Sequence, residues 1–144
     1  MQNTPNSIGY VELSYAIANK IPFANMVNKA GQSVTANADS LASAINDYAN
    51  SFDAKLTTKI VDGPGAGSWP IAGYTYIILH TSSMQDCTKA QKLLEFLKWA
   101  LTDTAAGKRA SELGYSVLPD AVRTRVLDKL GQVTCNGNPV MTNK

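Results

Sequence analysis

Two cysteines and a single histidine are the side chains of this chain best suited to metal or redox chemistry. Cys87 and Cys135 lie far apart in the sequence, and His80 follows an apolar run with no second potential ligand near it. A zinc site takes several Cys, His or carboxylate ligands at characteristic spacings. The pattern therefore predicts no metal site.

Three states are open for Cys87 and Cys135: free buried thiols, a disulfide, or a reactive cysteine. A disulfide is favoured because Cys135 lies in the turn-rich tail segment 134–139, which a covalent link would fix, while Cys87 lies just ahead of a predicted helix. Closing such a loop contributes about 4 kcal/mol through loop entropy. A bridge would in turn favour an oxidising compartment.

The glycine cluster DGPGAGS at residues 62–68 could suggest a phosphate-binding loop, since bare backbone amides at the start of a helix bind anions. The pattern fails because no Lys-Ser/Thr follows, Pro64 removes one amide, and an apolar strand-like run comes next. We therefore interpret residues 63–67 as a flexible linker. The hydroxyls of Ser68 and Thr75 are interpreted as solvated or strand-face groups.

Carboxylates offer two conceivable acid–base pairs, Glu95 with Asp103 and Glu112 with Asp120. These residues fall at predicted helix starts or on solvent faces, where structural roles are far more common than catalytic ones. No Ser/His/Asp order with a nucleophile elbow is present, and His80 has no carboxylate near it in sequence. The sequence predicts no catalytic residue, no cofactor and no enzyme.

Composition indicates a globular protein. The 144 residues are 44% hydrophobic and 17% charged, and the net charge is +2. The basic residues are scattered, which gives no reason to expect a nucleic-acid partner. Residues 1–7 have neither the basic nor the apolar region of a signal peptide, so the chain taken by itself would stay where it is made. If the chain is a piece of a longer exported protein, the missing signal says nothing about location.

In the first half of the chain the pattern predicts few regular elements. Residues 8–11 read as a short strand, and residues 12–19 as a helical turn or a loop. Residues 22–34 read as irregular, with a possible pair of short strands. A helix is predicted to begin within residues 37–40, where Asn, Asp and Ser are candidate caps, and Leu41, Ile45 and Tyr48 form its apolar face.

The second half alternates a strand with helices. Residues 74–80 are β-branched and aromatic, which predicts a strand buried on both faces. An apolar helix is predicted over 89–101, with a Leu/Phe/Trp stripe as core, and another over 103–112. Gly114 would end that helix, and Pro119 would begin a third at its first position, with Val122, Val126, Leu127 and Leu130 inward.

Strands alternating with helices predict an α/β layered fold. About three strands are few for a complete sheet, and the helix over 89–101 has more apolar surface than they can cover. We therefore expect an unpaired edge at 74–80 and exposed apolar surface around Leu93, Leu97 and Trp99. Such edges recruit other chains, so the isolated chain is expected to associate or to be marginally stable.

Four blocks carry a resemblance to a known family. They are NSIGYVELSYA at 6–16, SWPIAGYTYIILH at 68–80, KLLEFLKWAL at 92–101 and ELGYSVLPDAV at 112–122. In their order and amino-acid sequence they resemble the C-terminal part of the periplasmic phosphate-binding proteins of phosphate ABC transporters. The resemblance covers nearly the whole chain and corresponds to somewhat less than half of a full-length member.

The resemblance implies part of a two-lobe periplasmic-binding-protein-like fold that closes on its ligand by a hinge. Residues 1–67 correspond to the closing part of the second lobe, and residues 68–144 to the C-terminal part of the first. Residues 69–71 correspond to the crossing between lobes. Phosphate ligands of the family lie in the N-terminal half, so no ligand-binding residue is carried over to this chain.

The resemblance implies capture of inorganic phosphate, through the missing N-terminal half, for the permease subunits of an ABC importer. It implies a periplasmic or extracytoplasmic location. The alternative is an interaction domain that kept the fold and lost the ligand. A phosphatase-like enzyme on the same scaffold ranks last, because no catalytic residues are found for it.

Overall fold

The computed structural model describes residues 4–141, which form a mixed arrangement of helices and small sheets. The helices are α1 (Leu13–Ala18), α2 (Ala38–Asp47), α3 (Cys87–Thr102), α4 (Thr104–Glu112) and α5 (Asp120–Gly131). The strands are β1 (Met26–Val27), β2 (Ser33–Val34), β3 (Thr134–Cys135) and β4 (Asn138–Pro139).

The strands form two antiparallel hairpins. β1 pairs with β2, which confirms the short strand pair expected within residues 22–34. β3 pairs with β4 across Asn136 and Gly137, whose φ angles of 50° and 80° are those of a tight hairpin turn. Asn and Gly adopt this left-handed backbone with the least strain, so the local sequence determines this hairpin.

Two predicted strands are wrong for this chain. Residues 8–11 and residues 74–80 belong to no ladder within residues 4–141, and a layered sheet does not form there. Both segments have suitable strand composition, but a strand exists only when another strand takes up its backbone hydrogen bonds. The described part of the chain offers neither of them such a partner.

The helix predictions hold, with small shifts at the ends. Asn37 caps α2 through a reciprocal pair of bonds with Ser40, as its position suggested. α3 begins at Cys87, two residues before the predicted start, because the side chain of Asp86 accepts a hydrogen bond from the Lys89 amide. Asp103 caps α4 in the same way.

Gly114 ends α4 as predicted. Its φ of +86° allows the amides of Gly114 and Tyr115 to reach the carbonyls of Ser111 and Ala110, which is the Schellman arrangement. Pro119 precedes α5 as its cap and is not its first residue. A short helix, α1, forms within residues 12–19, for which the sequence predicted either a helical turn or a loop.

Two small hydrophobic clusters make up the core. The first, called here core 1, contains Ala44, Ile45, Ile60, Ala72 and Val122. The second, core 2, contains Leu94, Leu97, Leu130 and Val133. Helix α5 contributes to both, with Val122 at its start and Leu130 near its end. Core 1 also joins residues from either side of position 67, since Ala44, Ile45 and Ile60 pack with Ala72 and Val122.

A buried asparagine organises the region around the glycine cluster. Asn28 is 6% exposed, and its side-chain NH₂ donates to the carbonyls of Gly65, Ala66 and Ser68 at 3.2, 2.9 and 3.2 Å. Its side-chain oxygen accepts from the amides of Ala30 and Gln32. One side chain therefore holds both the β1–β2 turn and residues 65–68 in place.

Asp47, at the end of α2, holds the same loop from the other side. Its carboxylate accepts from the Ser68 hydroxyl at 2.6 Å and from the Gly65 amide at 2.9 Å, and Ser43 lies 2.9 Å from Ser68, oxygen to oxygen. A Cβ at Gly63 would collide with Asp47. The glycines thus allow close packing, and the loop is fixed by hydrogen bonds in place of the flexible linker that we predicted.

We expect N28D to destabilise the chain by about 3 kcal/mol. One oxygen of the new carboxylate can still accept hydrogen bonds, but the other replaces the NH₂ donor and faces three carbonyl oxygens. Asn50 is exposed, so N50D makes the same charge change as a control and should shift stability by less than about 0.5 kcal/mol. Urea unfolding followed by circular dichroism measures both.

The gap between the two variants should narrow as the pH falls. Burial among carbonyls raises the pKa of the new carboxyl at position 28, and its protonated form regains a donor. Stability is then lost as the pH rises through that pKa. Equal stability of the two variants at pH 7 would show that the Asn28 bonds contribute nothing net.

Candidate functional site

The structure joins Cys87 and Cys135 in a disulfide, with sulfurs 1.99 Å apart and Cα atoms 5.5 Å apart across a separation of 48 residues. This Cα distance lies within the range of ordinary disulfides. The tail is also hydrogen-bonded to the segment before α3, because the Thr134 amide donates to the Thr81 carbonyl at 2.8 Å. The link thus connects the β3–β4 hairpin to the first residue of α3.

Ser68 and Thr75, the two hydroxyls near the predicted crossing, have different surroundings. Thr75 is exposed, as expected. Ser68 is 0% exposed and bonded to Asp47 and Ser43, so its predicted solvation is wrong. Its hydroxyl is already occupied by protein groups and is unavailable to a ligand. The long-range partners of Asn28 and Asp47 leave no pattern in the sequence, which is why this cluster was missed.

The cleft beside the start of α2, about 420 Å³ in volume, is lined mostly by small polar residues. Hydroxyls and helix-start amides are groups that can bind phosphate. However, the Ser40 amide is already bonded to Asn37, and Asp39 adds a negative charge to the cleft lining. No Lys or Arg lines this cleft. Its electrostatics therefore disfavour an anion.

The carboxylates of the two conceivable acid–base pairs each contact a neighbour on their own helix or at its start. Glu95 forms an ion pair with Lys92 at 2.9 Å, and that contact is the main cause that lowers the pKa of its carboxyl. Glu112 pairs with Arg109 at 3.0 Å. Each is an exposed i,i+3 contact on a helix, which is worth little in stability.

The remaining candidates for chemistry are also placed in structural contacts. Asp120 pairs with Arg123 at 2.6 Å, and the Asp103 carboxylate caps α4. His80 is exposed and has Ser83 as its side-chain neighbour, 3.3 Å from Nδ1. No group of three or more potential metal ligands occurs within the described residues.

Residues 71–80 form a long stretch of backbone without internal hydrogen bonds in the described part of the chain. None of their amide or carbonyl groups is hydrogen-bonded to another described residue. The rings of Tyr74 and Tyr76 have centroids 6.0 Å apart, as expected of alternate residues on one side of an extended chain. Ile77 is 67% and Ile78 94% exposed, so the predicted burial on both faces is wrong. We call residues 74–80 the bare segment.

Side chains hold the bare segment against the rest of the molecule. Tyr74 packs on core 1, Leu79 packs on core 2, and the Tyr76 hydroxyl bonds the backbone of Thr58. Burial raises the pKa of Tyr74 to about 12, and its hydroxyl has no partner among the described residues. A phenol with so high a pKa stays neutral and does not serve as a base.

Of the three residues around which exposed apolar surface was expected, Trp99 is exposed, while Leu93 is half-buried against core 2. Phe96 and Trp99 are 57% and 51% exposed, whereas Leu97 is buried in core 2. At the start of the chain, Ile8 and Tyr10 are almost fully exposed. Exposed apolar groups of this size often mark protein contacts. The exposed apolar residues of α3 and of the start of the chain are therefore candidates for contact with other polypeptide segments.

The disulfide leads to a prediction about the purified chain. Mass spectrometry after alkylation without reductant should find both cysteines unmodified by the reagent, and reductant should add two labels. Reduction should lower the free energy of unfolding by about 4 kcal/mol, through the loop entropy regained by the unfolded chain. Labelling of both thiols before reduction would show that the bridge does not form.

No family model matches the chain. Similarity to individual proteins is nevertheless clear. The phosphate-binding protein PstS of Xylella fastidiosa strain Temecula1 is 36% identical over 121 residues, which cover 83% of this chain and 32% of that protein. The phosphate-binding protein PstS of Pasteurella multocida is 32% identical over 83% of the chain and 34% of its own length.

A second group of relatives comes from Acanthamoeba polyphaga mimivirus. One of them, which carries the provisional name serine/threonine-protein kinase/receptor R826, is 29% identical over 95% of this chain but over only 8% of its own length. No helix in residues 4–141 is long and apolar enough to cross a membrane. The chain spans about a third of the PstS proteins that it matches, and it is related in sequence to that part of them.

Proposed function

We propose that this chain is the C-terminal portion of a substrate-binding protein that captures inorganic phosphate for an ABC importer. The observation that carries the proposal is the 36% identity to a phosphate-binding protein PstS over 83% of the chain. The α2 cleft is lined by Asp39 and by no Lys or Arg, which fits a portion that supports binding without supplying the ligands. The chain would act as a binding component and not as an enzyme.

In this proposal the chain belongs to a two-lobe fold. Residues 1–67 form the closing part of the second lobe, and residues 68–144 complete the first. Residues 69–71, at the proposed crossing, are held by the Trp69 amide donating to the Ser40 carbonyl at 3.0 Å and the Asp62 amide donating to the Pro70 carbonyl at 2.9 Å. Such bonds near a lobe crossing would limit where a hinge bends.

The proposed partners follow from the same relationship. Phosphate would be bound through residues of the N-terminal portion, and the permease subunits of the importer would receive it. The location would be periplasmic or extracytoplasmic. The Cys87–Cys135 disulfide supports this location, because structural disulfides persist mainly in oxidising compartments.

A second candidate function is an interaction domain without a ligand. The observation that favours it is the match to mimivirus proteins named as kinase/receptors, in which a segment like this chain makes up only 8% of the length. A segment of this size within much longer proteins would be compatible with a module that binds other polypeptides. The exposed apolar residues of α3 and of the bare segment would then be its contact surface.

The isolated chain should bind phosphate only weakly. Isothermal titration should detect no micromolar site, because Asp39 lines the α2 cleft and no basic residue does so. Full-length PstS of Xylella fastidiosa, titrated under the same conditions, serves as the positive control. A micromolar site in the isolated chain would show that its own residues supply the ligands.

A chimera separates the two candidate functions. The matching segment of the Xylella protein is replaced by residues of this chain, and phosphate affinity is measured by titration. The proposal expects the chimera to bind within about tenfold of the parent, a difference of roughly 1.4 kcal/mol. A chimera that unfolds cooperatively, yet has lost phosphate binding, would favour the interaction domain.

A further inference from the structure

We propose that two copies of this chain associate through the bare segment, as an antiparallel strand pair with a two-fold axis at Ile77. This association of two copies does not depend on the phosphate-binding function. The strand that pairs with the bare segment is the same segment of a second copy.

The backbone of the bare segment requires a partner that is itself a strand. Its amides and carbonyls are unbonded within the described residues, and its side chains are held at both ends by core 1 and core 2. Strand edges are normally protected by charge, proline or a covering element. Residues 71–80 contain no Lys, Arg, Asp, Glu or Pro. The segment is thus held in place with nothing to prevent pairing.

The sequence of the bare segment is complementary to itself when reversed. With Ile77 on the axis, Tyr76 lies opposite Ile78, Thr75 opposite Leu79, and Tyr74 opposite His80 of the other copy. Aromatic side chains opposite β-branched ones are among the favourable cross-strand pairs, and no like charges oppose each other. A two-fold interface uses the same patch on both copies, so each copy satisfies the other.

Pairing in this register would bury side chains that are exposed in the single chain. Ile78 is 94% exposed and would lie beside Tyr76 of the other copy, itself 48% exposed. Repulsion between copies is small because the chain carries a net charge of only +2. A second copy of the chain is also present in any solution of the protein. Its identical edge supplies the strand that the backbone requires.

Cysteine cross-linking tests the axis directly. In I77C the two new thiols would lie on facing residues, whose Cα atoms are about 4.5–5.5 Å apart in an antiparallel pair, within disulfide range. In T75C the equivalent residues would be offset by four positions, roughly 13 Å along the strands, beyond that range. Both positions are exposed, and the native cysteines are bonded to each other.

After mild oxidation, I77C should yield at least tenfold more covalent dimer than T75C on a non-reducing gel. Circular dichroism of both variants checks that they fold. Light scattering of the unmodified chain over a dilution series should show a dimer that dissociates. Equal cross-linking of the two variants, or an unmodified chain that is monomeric at every concentration, would overturn the proposal.

Discussion

The unpaired backbone of residues 71–80 is the constraint on which the rest of this structure depends. A segment with strong strand composition normally lies in a sheet, where the ladder satisfies its polar groups and neighbouring strands cover its side chains. Here three side chains hold the segment in place: Tyr74 on core 1, Leu79 on core 2, and Tyr76 through its hydroxyl. The molecule must therefore be held together by interactions other than a central sheet.

Three kinds of interaction hold the described chain together. Two small apolar clusters, both reached by α5, give the hydrophobic contribution. Asn28 and Asp47 join the first hairpin, α2 and the glycine cluster by buried and part-buried hydrogen bonds. The disulfide joins the tail hairpin to α3. Each of them connects segments that are distant in sequence, which a shared sheet would do in a larger α/β protein.

The sequence predicted local structure well and long-range structure poorly, for physical reasons. The caps at Asn37 and Gly114 depend on residues three or four positions away, so the local pattern was sufficient. The bonds from Asn28 to residues 65–68 join parts of the chain that no local pattern connects. The strand at 74–80 was predicted from composition, but pairing depends on a partner elsewhere.

The candidate site follows the same division. Sequence reasoning predicted neither a zinc site nor a phosphate loop from residue types and spacing, and it favoured a disulfide between Cys87 and Cys135 over two other states. It interpreted the glycines of 63–67 as a flexible linker because flexibility is the usual role of a glycine cluster. The structure shows that they allow Asp47 and Ser68 to approach closely, which depends on the distance between those residues in three dimensions.

The segment 74–80 has strand composition but no strand partner within residues 4–141. Hydrogen–deuterium exchange at the lowest usable protein concentration, where copies are dissociated, tests this account most directly. The amides of residues 75–79 should then exchange at nearly the rate of an unstructured peptide, while those in the middle of α3 exchange at least a hundredfold more slowly. Protection of residues 75–79 equal to that of α3 would mean that the chain contains their strand partner, which would contradict the account.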